Sequence, residues 1–191
     1  MLEMLPAFVG QALAHRRAGV AGLAIADPAR QRGDGRLALS SPDFGERTMI
    51  PAACTADGEG RSPALTIAGV PEGTRSLALL VEDADAPTPR PIVHGIAWGL
   101  APDLGALAPG DLDGGGAGGA EGRTGINSYR RAGWLPPDPP TGHGLHHYIF
   151  QLYALAAPFE FDRPPGRGEL LAAMDGRIVA SAVLTGLYAR E

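Results

Sequence analysis

Apolar positions along the chain change their spacing near Leu37. Before it, Leu5, Phe8, Val9, Ala12 and Leu13 recur at i, i+3, i+4, i+7 and i+8 behind Pro6, a spacing that predicts an amphipathic helix. After it, short apolar runs alternate with turns rich in glycine, proline and aspartate, predicting strands at Leu37 to Leu39, Leu65 to Ile67, Ser76 to Val81, Ile92 to Leu100 and His146 to Leu155. Strict alternation within the fourth run sets His94, Ile96, Trp98 and Leu100 on one face and Val93, Gly95 and Ala97 on the other. Near the C-terminus, Glu169 to Met174 and Arg177 to Tyr188 read as helices, with Leu171, Met174 and Ile178 along one face. The expected fold is mostly β: an antiparallel β-sandwich with C-terminal helices and an N-terminal helical extension. Residues 1–36 form the extension and 37–191 the β domain.

A chain of 191 residues, 45% hydrophobic, supports one full core, and its 28 glycines and 18 prolines lie between apolar runs, as tight turns require. The glycine-rich run at 114–122, within Gly105 to Gly125, has little side chain to bury and is expected to be a mobile loop. No GK[ST] follows it, so a phosphate-cradling loop is not supported. The net charge of -5, without a basic stripe, speaks against nucleic acid as a partner. Cys54 is the single cysteine, which excludes an intrachain disulfide and suits a reducing compartment. Arg16 and Arg17 precede a nine-residue apolar run, Ala18 to Ala26, that ends in an AxA pattern. The run contains two glycines and follows a helical pattern instead of a short charged leader, so it reads poorly as a signal peptide. No run approaches the roughly 20 apolar residues of a membrane span, and a cytoplasmic location is expected.

The polar residues gather in two segments. DADAP, from Asp83 to Pro87, follows an apolar strand and has His94 close behind it, and PPTGHGLHHY spans Pro139 to Tyr148. Carboxylates and imidazoles at strand ends beside prolines make a rigid polar pocket for a small anionic or zwitterionic group. Of Asp83 and Asp85, one can line the pocket while the other anchors the turn before Pro87. His143, His146 and His147 are not spaced to face one metal ion, because His146 and His147 point to opposite faces of a strand. A metal held by Asp83, His94 and His146 from separate strands is the alternative, and His147 is read as a solvated surface residue. Ser62, Ser128 and Ser181 lack a nucleophile elbow, so acyl transfer has little support.

These residues resemble a known family. SSPDFGERTMIPAACTADGEGRSPAL at 40–65, then DADAP with Val93 and His94, then NSYRRAGWLPPDPPTGHGLHHYIFQLYAL at 127–155, are similar to the bacterial and archaeal phosphatidylethanolamine-binding proteins, or Raf kinase inhibitor-like proteins. The resemblance implies a ligand pocket walled by Asp83, His94 and His146, with Asp85, Pro140 and Tyr188 beside it. Trp134 stands where many members have a ligand-contacting tyrosine, and its indole can donate but not accept. Pro136 and Asp138 stand where glycine is usual, and Gly99 where asparagine is usual. X–Pro bonds of the rim are candidates for cis geometry. The implied function is non-catalytic binding of a phosphate-like or phospholipid-headgroup anion, with two imidazoles as donors, and possible modulation of a kinase or protease. No cofactor or metal is expected, and a homodimer is possible. A hydrolase using Asp83, His94 and His146, or a protein-interaction module built on the N-terminal helix, are the alternatives.

Overall fold

The computed structural model describes residues 6–114 and 123–190. Its elements, in chain order, are α1 (Ala7–Leu13), β1 (Ala38–Ser40), β2 (Thr48–Met49), β3 (Leu65–Ala68), β4 (Ser76–Asp83), β5 (Ile92–Leu100), β6 (Ala106–Leu107), β7 (His146–Leu155), α2 (Arg167–Met174) and β8 (Ile178–Tyr188). A three-stranded sheet runs β1-β3-β6 and a five-stranded sheet runs β2-β8-β7-β4-β5. One apolar cluster joins the two: Leu39, Leu65, Ile67 and Leu107 from the small sheet meet Leu77, Leu79, Val81, Phe150 and Leu152 from the large one. The other face of the large sheet, with Ala78, Leu80, Val93, Ile96, Trp98 and Tyr153, is covered by Ala24 and by Leu170, Leu171 and Met174 of α2.

Three expectations are corrected. Arg177 to Tyr188 is not a helix: IVASAVLTGLY has apolar residues at both helical and strand spacings, and β-branched Ile178, Val179, Val183 and Thr185 favour extended backbone. Antiparallel pairing with β7 from His146↔Tyr188 to Leu155↔Ile178 settles the choice, leaving one helix in this part of the chain. The large sheet is also not wholly antiparallel, since β2 pairs with β8 in parallel. Finally, β5 does not alternate strictly. Val81 pairs with Gly95 and Glu82 with Val93, leaving His94 as the extra residue of a β-bulge. A second irregularity sets Trp98 and Gly99 against Ala78, with Gly99 in the left-handed region at φ 63°. Val93, Ile96 and Trp98 therefore share the outer cluster, while His94 turns to the opposite side.

Of the residues before Leu37, those described lie against the sheets. Helix α1 does not bury the expected face: Phe8 is exposed, and Gly10 is the buried position, packed so closely on the 141–143 turn that a Cβ there would lie 2.0 Å from the Thr141 carbonyl oxygen. Leu5 lies outside the described residues. Beyond α1, the amides of Ala18 and Gly19 bond to Ala86 and Ala84, and Leu23 packs with Ala84 and Ile149. The amides of Ala24 and Ile25 reach the side chains of Glu82 and Gln151, both 0% exposed. Ala18 to Ala26 is thus a string of short turns seated on the sheet. Residues 115–122 of the glycine-rich run lie outside the described residues. Every peptide bond among the described residues is trans, so the prolines of the rim show no cis bond. No helix among the described residues is long and apolar enough to cross a membrane.

Candidate functional site

The topology brings three strand ends together. Asp83 closes β4, His94 occupies the bulge in its neighbour β5, and His146 opens β7 on the other side of β4, in register with Tyr188 of β8. The turn Leu135–Pro140 crosses above them. Between turn and sheet is a narrow cavity of about 30 Å³ lined by Asp83, His94, Asp138, Pro140, His146 and Tyr148, with Tyr129, half exposed, at its edge. That volume suits a group the size of one or two water molecules.

His94 is 4% exposed, and its Nδ1 is 2.6 Å from the Leu135 carbonyl. A carbonyl only accepts, so Nδ1 carries the hydrogen, and Nε2 has no partner among the described residues. Burial pushes His94 below the ordinary histidine value, against the pull of Asp83 and the Leu135 carbonyl. The ring is therefore neutral at pH 7, with an uncommitted Nε2 lone pair. Tyr148 packs edge-on against it at 5.0 Å and Trp134 at 6.2 Å. Burial, with Asp83 and Asp138 nearby, holds the Tyr148 hydroxyl far above the usual phenol value, so it remains a donor.

His146 differs in having both ring nitrogens engaged. Its Nδ1 is 2.8 Å from Asp83 Oδ2, and its Nε2 is 2.7 Å from His143 Nδ1. His143 Nε2 in turn faces the carbonyls of Leu13 at 3.0 Å and Arg16 at 3.2 Å. The expectation of two donating imidazoles in the cavity is corrected accordingly: His94 holds the free nitrogen.

Asp85 sits beside the site but not in its wall. Its amide donates to Asp83 Oδ1, while its own carboxylate accepts from Arg17 at 2.7 Å and from the amide and ring of His147. Burial pushes Asp85 up, but the hydrogen bonds from His147 and Arg17 prevail and hold it below the usual carboxylate range. His147 is half-buried through this contact, instead of solvated. Trp134 does not line the cavity: its Nε1 donates to the Cys54 carbonyl at 3.3 Å, and its ring backs His94. Tyr188 also stands outside, its hydroxyl donating to Asp57. Arg190 lies between Asp57 and the cavity residue Asp138, donating to Asp138 Oδ1 at 2.6 Å and to the Pro139 carbonyl. It balances the carboxylate that this rim adds.

Four of the seven expected residues thus line the cavity: Asp83, His94, Pro140 and His146. The sequence reading missed Tyr148, although its position two residues after His146 sets it on the same strand face. It also missed His143 and Arg190, whose contacts run to distant carbonyls and to a turn, and no spacing rule announces them. Among the described residues no three His, Cys, Asp or Glu side chains form a cluster suited to a metal ion.

Comparison with known proteins bears on the family and the fold. The family model described as phosphatidylethanolamine-binding protein matches residues 40–189. A UPF0098 protein of Pyrococcus horikoshii is 35% identical over 164 residues, covering 83% of this chain and 80% of its own. The crystal structure of a phosphatidylethanolamine-binding protein homolog from Chlamydia trachomatis superposes with a TM-score of 0.74 at 32% identity, over 83% of this chain and all of the other. Escherichia coli YbcL has the same fold at 24% identity, with a TM-score of 0.75, over 82% of this chain and all of its own.

Proposed function

The chain belongs to the phosphatidylethanolamine-binding protein family, and from that premise we propose that it binds a phosphate monoester with a cationic tail, without catalysis, at the cavity over Asp83, His94 and His146. The observation that carries the reading is His94: a buried imidazole fixed by Leu135, with Nε2 unpartnered, in a cavity wall. A neutral Nε2 accepts, and a fully deprotonated phosphate offers only acceptors. One proton must therefore enter with the anion, either on the phosphate or on His94. A cavity of about 30 Å³ has room for one phosphate oxygen against His94 and not for the whole phosphate group. Arg190 is shared between Asp57 and Asp138, so this rim as a whole keeps a negative balance, which suits a zwitterion better than a bare anion.

Among the described residues no serine, threonine or cysteine lines the cavity. Ser62 bonds the Leu112 amide, Ser128 the Val93 amide and Ser181 the Arg32 amide, which favours binding over hydrolysis. Cytoplasmic residence and modulation of a kinase or protease belong to the same proposal on family membership and the lone cysteine. So does a homodimer, supported by exposed Met49, Val179 and Val183 on β2 and β8, which light scattering tests. Titration calorimetry near pH 6 with phosphorylethanolamine and inorganic phosphate tests the binding. Saturable heat, stronger for phosphorylethanolamine and lost in His94→Gln, is the expected result. Absence of heat from the folded protein with both ligands overturns the reading.

A further inference from the structure

The family match begins at residue 40, yet the segment from Ala7 to Gly19 touches the site. Leu13 and Arg16 offer carbonyls to His143, and Arg17 bonds Asp85, the Leu145 carbonyl and the His143 carbonyl. A proton count along this contact gives it a function. His143 Nε2 faces two carbonyls and so carries a hydrogen. His143 Nδ1 and His146 Nε2, 2.7 Å apart, would oppose two lone pairs unless a hydrogen lies between them. The same holds for His146 Nδ1 and Asp83 Oδ2 at 2.8 Å. The chain of contacts therefore holds three hydrogens, whereas a carboxylate and two neutral imidazoles supply two.

We propose that residues Ala7 to Gly19 are a working part of the pocket: by anchoring His143, they keep His146 doubly protonated against Asp83 and so hold this wall at zero net charge. His146 donates from Nδ1 to Asp83 and from Nε2 to His143, a positioning residue whose two ring nitrogens are both engaged away from the ligand. The neighbouring charges agree with this assignment. Asp83 on β4 faces His146 directly, Asp85 is paired with Arg17 and hydrogen-bonded by His147, Asp138 is paired with Arg190, and His94 and Tyr148 are neutral. The extra proton is assigned to His146 because that ring, and not His143, faces a carboxylate, at 2.8 Å, whereas His143 faces only carbonyls and His146. Losing that proton would leave the Asp83 charge uncompensated beside an incoming anion. The consequence for affinity rests on the anion-binding reading, whereas the proton count does not.

Long-range 1H–15N spectra of the ligand-free full chain at pH 7.5, with labelled histidine, test the count directly. Wild type is expected to show His146 with two protonated nitrogens and His143 with a proton on Nε2 alone. Gly10→Ala drives a methyl into the Thr141 carbonyl and the His143 amide, at 2.0 and 2.8 Å, and lifts α1 off the turn without touching the cavity. One bare nitrogen should then appear on His146, and phosphate affinity should fall about tenfold, as expected when one uncompensated charge lies near the anion. His143→Leu should do the same. His143→Asn, whose amide oxygen can take the place of Nδ1 as acceptor, should restore the two-proton His146. Gly168→Ala, which meets nothing within 4 Å, is the control. A bare nitrogen on His146 in wild type, or an unchanged His146 in folded Gly10→Ala and His143→Leu, overturns the proposal. A two-proton His146 that both variants abolish supports it even if phosphate does not bind, in which case only the anion-binding reading fails.

Discussion

Replacing Glu82 with leucine tests what fastens the N-terminal segment to the sheet. Glu82 is 0% exposed on β4, and its carboxylate accepts from the Ala24 amide at 2.8 Å, Gln151 Nε2 at 2.8 Å and Arg167 Nε at 2.7 Å. Removing the carboxylate strands a buried amide and a buried carboxamide, at about 1–3 kcal/mol each. Arg167 is one-third exposed and can turn to water, so its loss adds little. The buried leucine returns roughly 1–2 kcal/mol of apolar transfer. The net cost is about 1–4 kcal/mol, which for a domain of this size lowers the melting temperature by roughly 2–16 °C. Thermal unfolding followed by circular dichroism measures it, and amide exchange at Ala24 and Ile25 should accelerate. Glu82→Gln, which keeps one acceptor, should cost less. A Glu82→Leu protein that melts within about 1 °C of wild type would refute the reasoning, because two buried donors cannot be stranded at no cost.

Gly186→Ala places a Cβ 2.5 Å from Ile50 and 3.0 Å from Phe44, where β8 pairs with β2, and should destabilise by about 1–3 kcal/mol in chemical denaturation. Stability should also decline on acidification. Burial holds His94 below 6.5, so the unfolded chain binds this proton first: its contribution is complete above about pH 6.5 and is lost as pH falls toward the lowered folded value. Denaturation at stepped pH should show that slope, flattened in His94→Gln. Arg190→Met removes the cation beside Asp138 and should weaken phosphorylethanolamine binding several-fold in calorimetry, with inorganic phosphate affected at least as much.

The long strands and the converging ends of the site were legible because their signals are local. DADAP ends an apolar run, GLHHY begins one, and continuous apolar runs bounded by turn residues make β4 and β7 plain. The His94 bulge was not legible, since it exists only as a mismatch in register between β4 and β5. The same mismatch explains why Ile96 and Trp98 part company with His94. Strand β8 was misread because its apolar residues satisfy both periods and only pairing with β7 decides. The docking of residues 7–36 depends on contacts across the chain, such as Glu82 to Ala24 and His143 to Leu13, which no window of sequence contains. Family resemblance pointed to Asp83, His94 and His146, but their unequal roles, one imidazole free and one fully engaged, come from distances.

The central claim is that an anion meets His94 together with one proton. Calorimetry of phosphorylethanolamine binding at pH 7.5, repeated in buffers of different ionisation enthalpy, reads that proton directly. At this pH the free phosphate monoester, with a second pKa of about 6, is largely deprotonated and His94 is neutral. The account predicts uptake of about one proton per ligand bound, abolished with the binding in His94→Gln. Tight binding with no proton uptake, retained in His94→Gln, would contradict it.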